Sequence, residues 1–263
     1  MLFSKIKTAF ALGLPNLGRV LAYRLGIRVG INPVRCLDAA IPLGDFFGPV
    51  ADHGVATLGF ASQRWWHRQD YFGWFRVDDP GIPHWHRNPF TGAEVPDPER
   101  PWWRIPDFDA SLGDIKTIWE ASRFDWVLTF AQHACLGEPE GLERLNAWLA
   151  DWVAHNPPYR GPNWKCGQEA SIRVLHLAVA ALLLGQIRRP TPALVGLLVA
   201  HLRRIAPTLQ YAIAQDNNHG TSEAAALFIG GTRLAAPGEP TGGAPGGMQV
   251  QAATEPRRRA RLG

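Results

Sequence analysis

Two polar clusters stand at the starts of apolar helices in the second half of this sequence, and their residue types are those a site would use. Asn217, Asn218, His219 and Glu223 form one, within AQDNNHGTSEAAALFIGG; Asn163, Trp164, Lys165, Gln168, Glu169 and Arg173 form the other, within GPNWKCGQEASIRVLHLA. The first turn of a helix offers unpaired backbone N–H groups and the positive end of the dipole, so it favours an anion. An amide at Asn218 and an imidazole at His219 can hold a carboxylate there and neutralise it. Glu223 follows His219 by four residues, on the same face, where it can orient the ring through its second nitrogen. Glu169 and Arg173 are also four apart, on a helix too apolar to carry idle charge. They are expected to bond to each other or to neighbouring helix starts, in a network with Glu120, Arg123 and Asp125. Trp164 and Lys165, just ahead of that helix, are placed to line a cleft. The same residues also read as structure alone: Asn217 or Asn218 as a cap, His219 and Glu223 as a local pair, Glu169 and Arg173 as a packing network. A metal site would need a third ligand that no spacing identifies.

The elements that must position these residues are helices. After Asp109, apolar residues recur at three-and-four spacing through DIKTIWEASRFDWVLTFAQHACLG, a helix capped by Ser111 or Asp114 and stopped at Gly137. Leu142, Leu145, Leu149, Trp152 and Val153 line one face of the next, which Pro157 ends. Further helices are expected from about Cys166 to Gly185, from Pro190 or Thr191 to about Tyr211, and from near Asn218 to Gly230. The one starting near Cys166 is apolar nearly all round, as for a helix covered on both sides. Short connections make successive helices antiparallel neighbours, giving two hairpins and a last helix with no partner in the chain. The fold class is therefore all-α, an incomplete (α/α) toroid of antiparallel helical hairpins over 111–234. Residues 1–110 precede it as a helix from Ile6 to Arg24, stopped by Gly26, and a loop region rich in Trp and Pro. Trp65, Trp66, Trp74, Trp85, Trp102 and Trp103 crowd that region, where prolines forbid long helices. Such rings either fasten the loops to the helices or face a ligand, for which a pyranose ring is the apt shape. From 235 to 263 the sequence turns to Gly, Pro and Arg and reads as a disordered tail.

Composition narrows the function. The formal charge is +4, but four arginines against two glutamates after Leu234 leave only +2 for the rest, no electrostatic footprint for nucleic acid. Cys36, Cys135 and Cys166 are odd in number and widely spaced, so neither a disulfide framework nor a zinc site is indicated. No Gly-rich nucleotide loop and no GxSxG elbow occurs. The amino terminus has two lysines and a short apolar run without a clear cleavage site, and continues with helical rather than leader character.

Together, DIKTIWEASRFDW, NPPYRGPNWKCGQEASIRVLHLA and DNNHGTSEAAALFIGG resemble the amino-terminal helical domain of the heparinase II/III family of polysaccharide lyases, related to oligoalginate lyases; PHWHRNPFTG is similar to the loops that precede those helices. The resemblance spans approximately residues 10 to 233. It implies an (α/α) toroid followed by an antiparallel β-sandwich, and cleavage of uronic-acid-containing polysaccharide by β-elimination. It implies Asn218 as the residue that neutralises the uronate carboxylate, with His219 beside it; the candidate substrate-binding residues around them are Trp164, Lys165, Glu169, Arg173 and Glu223. The partner it implies is an acidic polysaccharide or oligosaccharide; no cofactor and no metal are implied. A periplasmic or envelope location follows from the family, with a cytoplasmic one left open. The family's catalytic tyrosine and sandwich histidine have no counterpart here, and Tyr159 and Tyr211 are not in the right motif. The expectation is thus a truncated, inactive copy. Two other readings stay open: a non-catalytic helical module that binds acidic glycan, linked to bacterial surface polysaccharide, and an (α/α)-barrel glycoside hydrolase. The latter needs a pair of acids facing a cleft, and nothing in the sequence selects one.

Overall fold

A computed structural model of the chain describes residues 2–51 and 59–234, with side chains from 13 to 232. The expected tail over 235–263 lies outside the described residues. Eight α-helices are described: α1 (Leu2–Val29), α2 (Lys116–Trp119), α3 (Asp125–Cys135), α4 (Pro139–His155), α5 (Gly167–Leu183), α6 (Pro192–Ile205), α7 (Leu209–Ala214) and α8 (Asn218–Leu234). The strands β1 (Gln69–Tyr71), β2 (Phe75–Val77), β3 (Phe108–Asp109) and β4 (Gly113–Asp114) make two separate antiparallel pairs, β1 with β2 and β3 with β4. The fold is helix-rich, and among the described residues no sheet is closed.

Helix α5 is the hub. It packs on α3, α6 and α8; besides Glu169 and Arg173 its buried positions are Gly167, Ala170, Ser171, Val174, Leu177, Ala180 and Ala181, most of them small enough to let neighbours close in on several sides. Helices α3 and α4 form the closest hairpin. A Cβ on Gly141 would lie 2.6 Å from the Ala134 nitrogen, so only glycine permits this approach. Helix α8 is not unpartnered, as its place at the end of the pattern suggests; it lies against α5, α6 and α7. Its Gly230 gives room to Leu202 of α6, whose Cδ2 would be 2.7 Å from an added Cβ.

Two helices break where periodicity predicts continuity. Between α2 and α3 the chain passes through a 3-10 turn, Ala121–Arg123, and then Phe124 at φ 69°, a left-handed conformation that ends one helix and redirects the next. The fully buried Phe124 ring holds that conformation, lying edge-on to Trp152 at 5.0 Å. Between α6 and α7, Pro207 removes a backbone donor and the chain tightens to the 3-10 turn Ala206–Thr208. Conversely, α1 runs past Gly26 to Val29, and Gly30 at φ 90° ends it. It is interrupted instead at Gly13, φ 73°, ahead of Pro15. Thr191 caps α6 as expected, its hydroxyl accepting from the Leu194 amide at 3.2 Å, and Asp114 accepts from Lys116 at the start of α2.

The irregular stretch between α1 and α2 is fastened side chain by side chain. Asn146 of α4 accepts from the Phe46 and Phe47 amides at 2.9 Å each and donates to the Phe47 carbonyl, imitating a strand edge. Gln186 does the same for Gly48, and Gln132 of α3 accepts from Ser62. Arg144 stacks over Trp66 and Phe130 at 4.8 and 4.6 Å while donating to the Trp66 and Pro80 carbonyls. Of the six loop tryptophans, Trp65, Trp66, Trp85 and Trp102 are buried in one core with the helices, Trp103 is half-buried and Trp74 is exposed.

Candidate functional site

The starts of α5 and α8 come together because α8 lies along α5, and the side chains at that junction divide into accessible and sealed. Asn217 caps α8: its Oδ1 accepts from the His219 amide at 3.0 Å. The cap therefore does not consume Asn218, which is exposed at the first helical position with no side-chain hydrogen bond among the described residues. His219 is half-buried. Burial holds its imidazole below the ordinary histidine range, against an opposing pull from the Glu169 carboxylate. The ring is accordingly neutral near pH 7. It can accept a proton or a hydrogen bond, but it does not bring the positive charge that a carboxylate grip at this position seemed to require.

Glu169 does not pair with Arg173. Arg123 takes it instead, in a two-pronged fork, Nε to Oε2 at 2.8 Å and Nη2 to Oε1 at 2.9 Å, and reaches Glu120 with Nη1 at 2.6 Å. Glu120 also accepts from the Phe72 amide at 2.7 Å, which ties the β1–β2 turn to the network. One guanidinium thus serves two carboxylates. Burial pushes the Glu120 carboxyl up, while its carboxylate partners raise Arg123.

Arg173 and Trp164 are both 0% exposed and present no atom to a ligand. Arg173 donates to His201 Nε2 at 2.8 Å and to the carbonyls of Ser122 and Asn163, inside a box of Phe124, Trp152 and Trp164 rings. Burial and the Arg173 charge keep His201 well below the histidine range, so this pair carries a single positive charge. The Trp164 indole donates to the Asn156 carbonyl at 3.0 Å. Their role in this chain is packing, because helices on all sides close over the start of α5. Lys165 is also engaged: its ammonium donates to the Ile105 carbonyl at 2.6 Å and lies 3.2 Å from Asp107.

Glu223 turns away from the orienting role expected for it. It is 2% exposed, and its carboxyl lies over the start of α5, where a Cβ on Gly167 would sit 2.5 Å from Oε1. Its Oε2 has no hydrogen-bond partner among the described residues, and burial pushes the carboxyl up to about 8. Arg204 and the Thr208 hydroxyl pull it down, but less than burial pushes it up. Arg204 spends its donors on the Trp164 and Lys165 carbonyls and the Thr208 hydroxyl, with its guanidinium 3.6 Å from the Trp102 ring centroid. Tyr23 of α1, stacked on Tyr211 at 4.1 Å, closes the same chamber, and burial raises its phenol to about 12. Arg204 and Tyr23 carry no local signal of this role. The one hint is Arg204 itself, a charge on the inward face of an apolar helix beside an outward-facing Arg203.

The structure therefore leaves Asn218 and His219 open at a helix start and ties up or seals the other expected contacts. Among the described residues no group of three His, Cys, Asp or Glu side chains is arranged to hold a metal ion. No family model matches the chain, and neither a curated protein nor a solved structure was found to match it.

Proposed function

We propose that this chain binds uronic-acid-containing polysaccharide at the start of α8, in the manner of lyases that cleave such polymers by β-elimination. The observation that carries the reading is the pair Asn218 and His219: an uncommitted amide on the first turn of a helix, beside a half-buried neutral imidazole. The resemblance of its motifs to the heparinase II/III family supports it, and α3–α4, α5–α6 and α7–α8 would be successive hairpins of an (α/α) toroid. The Asn218 amide, with the free N–H groups of the turn, donates to the uronate carboxylate and stabilises the charge that builds as C5 loses its proton. The neutral His219 ring is the group able to take that proton. The electron pair then forms the C4–C5 double bond, the C4–O4 bond breaks, and the leaving oxygen takes its proton from water.

A second reading, binding without turnover, is favoured by what surrounds the pair. Burial raises the Tyr23, Tyr71 and Tyr159 phenols, the wrong direction for a base. Glu223, whose carboxyl burial raises to about 8, is sealed from substrate. Glu120 and Glu169 share one guanidinium, so these two acids are not free to serve as a hydrolase's acid and base. The test is the ultraviolet absorbance of a 4,5-unsaturated uronate product, followed on alginate, on heparin-like polymers and on bacterial uronate exopolysaccharide, beside direct binding of the same polymers. Asn218→Ala is expected to lower turnover or affinity by about a hundredfold. Binding without absorbance assigns the non-catalytic module. Equal binding by the wild-type chain and Asn218→Ala removes the basis of both readings.

A further inference from the structure

The outer face of α1 is apolar where water should see polar side chains. Helix α1 packs on α7 through the Tyr23–Tyr211 stack, with Ile27 partly buried against the core. On the other side, Leu14, Leu21, Leu25 and Val29 are 85%, 58%, 60% and 57% exposed, and Ile31 just beyond the helix is 79% exposed. Leu21, Leu25 and Val29 follow each other at four-residue spacing, and Leu14 precedes Leu21 by seven, so the four form one stripe along the segment after the Gly13 break. A continuous apolar stripe of this kind on a soluble surface marks a contact face.

Charge says what the contact is. The first 37 residues contain Lys5, Lys7, Arg19, Arg24, Arg28 and Arg35, and no Asp or Glu. Arg24 and Arg28 are exposed and each immediately precedes a stripe residue, which puts them on one flank of it. Cations flanking an apolar stripe on a helix that lies along the protein match the boundary of an anionic bilayer. There the leucines enter the acyl edge and the guanidinium groups reach the phosphates. Among the described residues no helix is long and apolar enough to cross a membrane, so the contact is with the surface. We propose that α1 is an interfacial helix that docks this chain on an anionic lipid surface through Leu14, Leu21, Leu25 and Val29, with Arg24 and Arg28 on its flank. The assignment does not depend on the glycan reading.

Sedimentation of the full chain with vesicles tests it. Equimolar phosphatidylglycerol and phosphatidylcholine vesicles are expected to carry the chain down, and pure phosphatidylcholine vesicles to leave it in solution. Both Leu21→Gln/Leu25→Gln and Arg24→Gln/Arg28→Gln should weaken anionic-vesicle binding about tenfold or more, and salt near 0.5 M should weaken it for the wild type. All four side chains are exposed, so circular dichroism should show the fold retained. Binding unaffected by either double substitution, or equal on both vesicle types, overturns the proposal. So does a self-associating chain that ignores vesicles and becomes monomeric with Leu21→Gln/Leu25→Gln, since the face would then meet a second copy.

Discussion

Replacing Glu223 with Gln should change how stability depends on pH, and the structure sets both the sign and the size. The folded chain holds the Glu223 proton up to about 8, against an ordinary value of 4.5, because the carboxyl is buried and Arg204 gives its donors to carbonyls and the Thr208 hydroxyl. The unfolded chain releases that proton above about pH 4.5. Below this value both states are protonated and the group costs nothing. Between it and about 8 only the unfolded state ionises, so stability falls by about 1.4 kcal/mol per pH unit, and above 8 the loss is complete. The total is about 3 to 5 kcal/mol, a large share of a typical folding free energy. Gln cannot ionise, so Glu223→Gln should gain on the wild type by that amount between pH 5 and pH 8.5. Urea unfolding of both proteins at the two pH values measures it. Burial lowers His86, His201 and His219, which makes stability rise with pH in the same window, but they are common to both proteins and cancel in the difference. A difference between the two proteins that stays constant within about 0.5 kcal/mol from pH 5 to pH 8.5 would refute the reasoning.

Two further outcomes follow from the same junction. Arg123→Met leaves Glu120 and Glu169 facing each other without a counter-ion and should cost about 3 kcal/mol in urea unfolding; adding Glu169→Gln should recover part of it. The His219 ring should titrate below 6.5 when followed by nuclear magnetic resonance, so any activity or binding that needs it neutral should persist to mildly acidic pH; a midpoint above 6.5 would contradict its burial.

What the sequence makes legible here is what is local. The face of α4, the Thr191 cap and the all-round apolar character of α5 are short-range patterns, and the structure has them. The α2–α3 break depends on Phe124 holding a left-handed backbone against Trp152, a ring about thirty positions away, which no window of helical spacing can register. The site divides in the same way. Asn218 stands open because its neighbour Asn217 supplies the cap, a relation of two positions. Glu169 and Glu223 instead answer to Arg123 and to Gly167, which lie on other elements, and so the i,i+4 pairings drawn for them with Arg173 and His219 give way. Trp164 and Arg173 look like ligand contacts for the reason that they are good at filling a core: size, flatness and many donors.

The amide clamps at Asn146, Gln186 and Gln132 give the irregular segment a particular evolutionary latitude. Each grips main chain rather than side chain, so the half-buried Ser62 can be exchanged without releasing the grip, whereas Phe46 and Phe47 are held a second time by burial in the core. Drift should therefore be freer at positions gripped by backbone alone than at the three amides or at the rings sunk in the core.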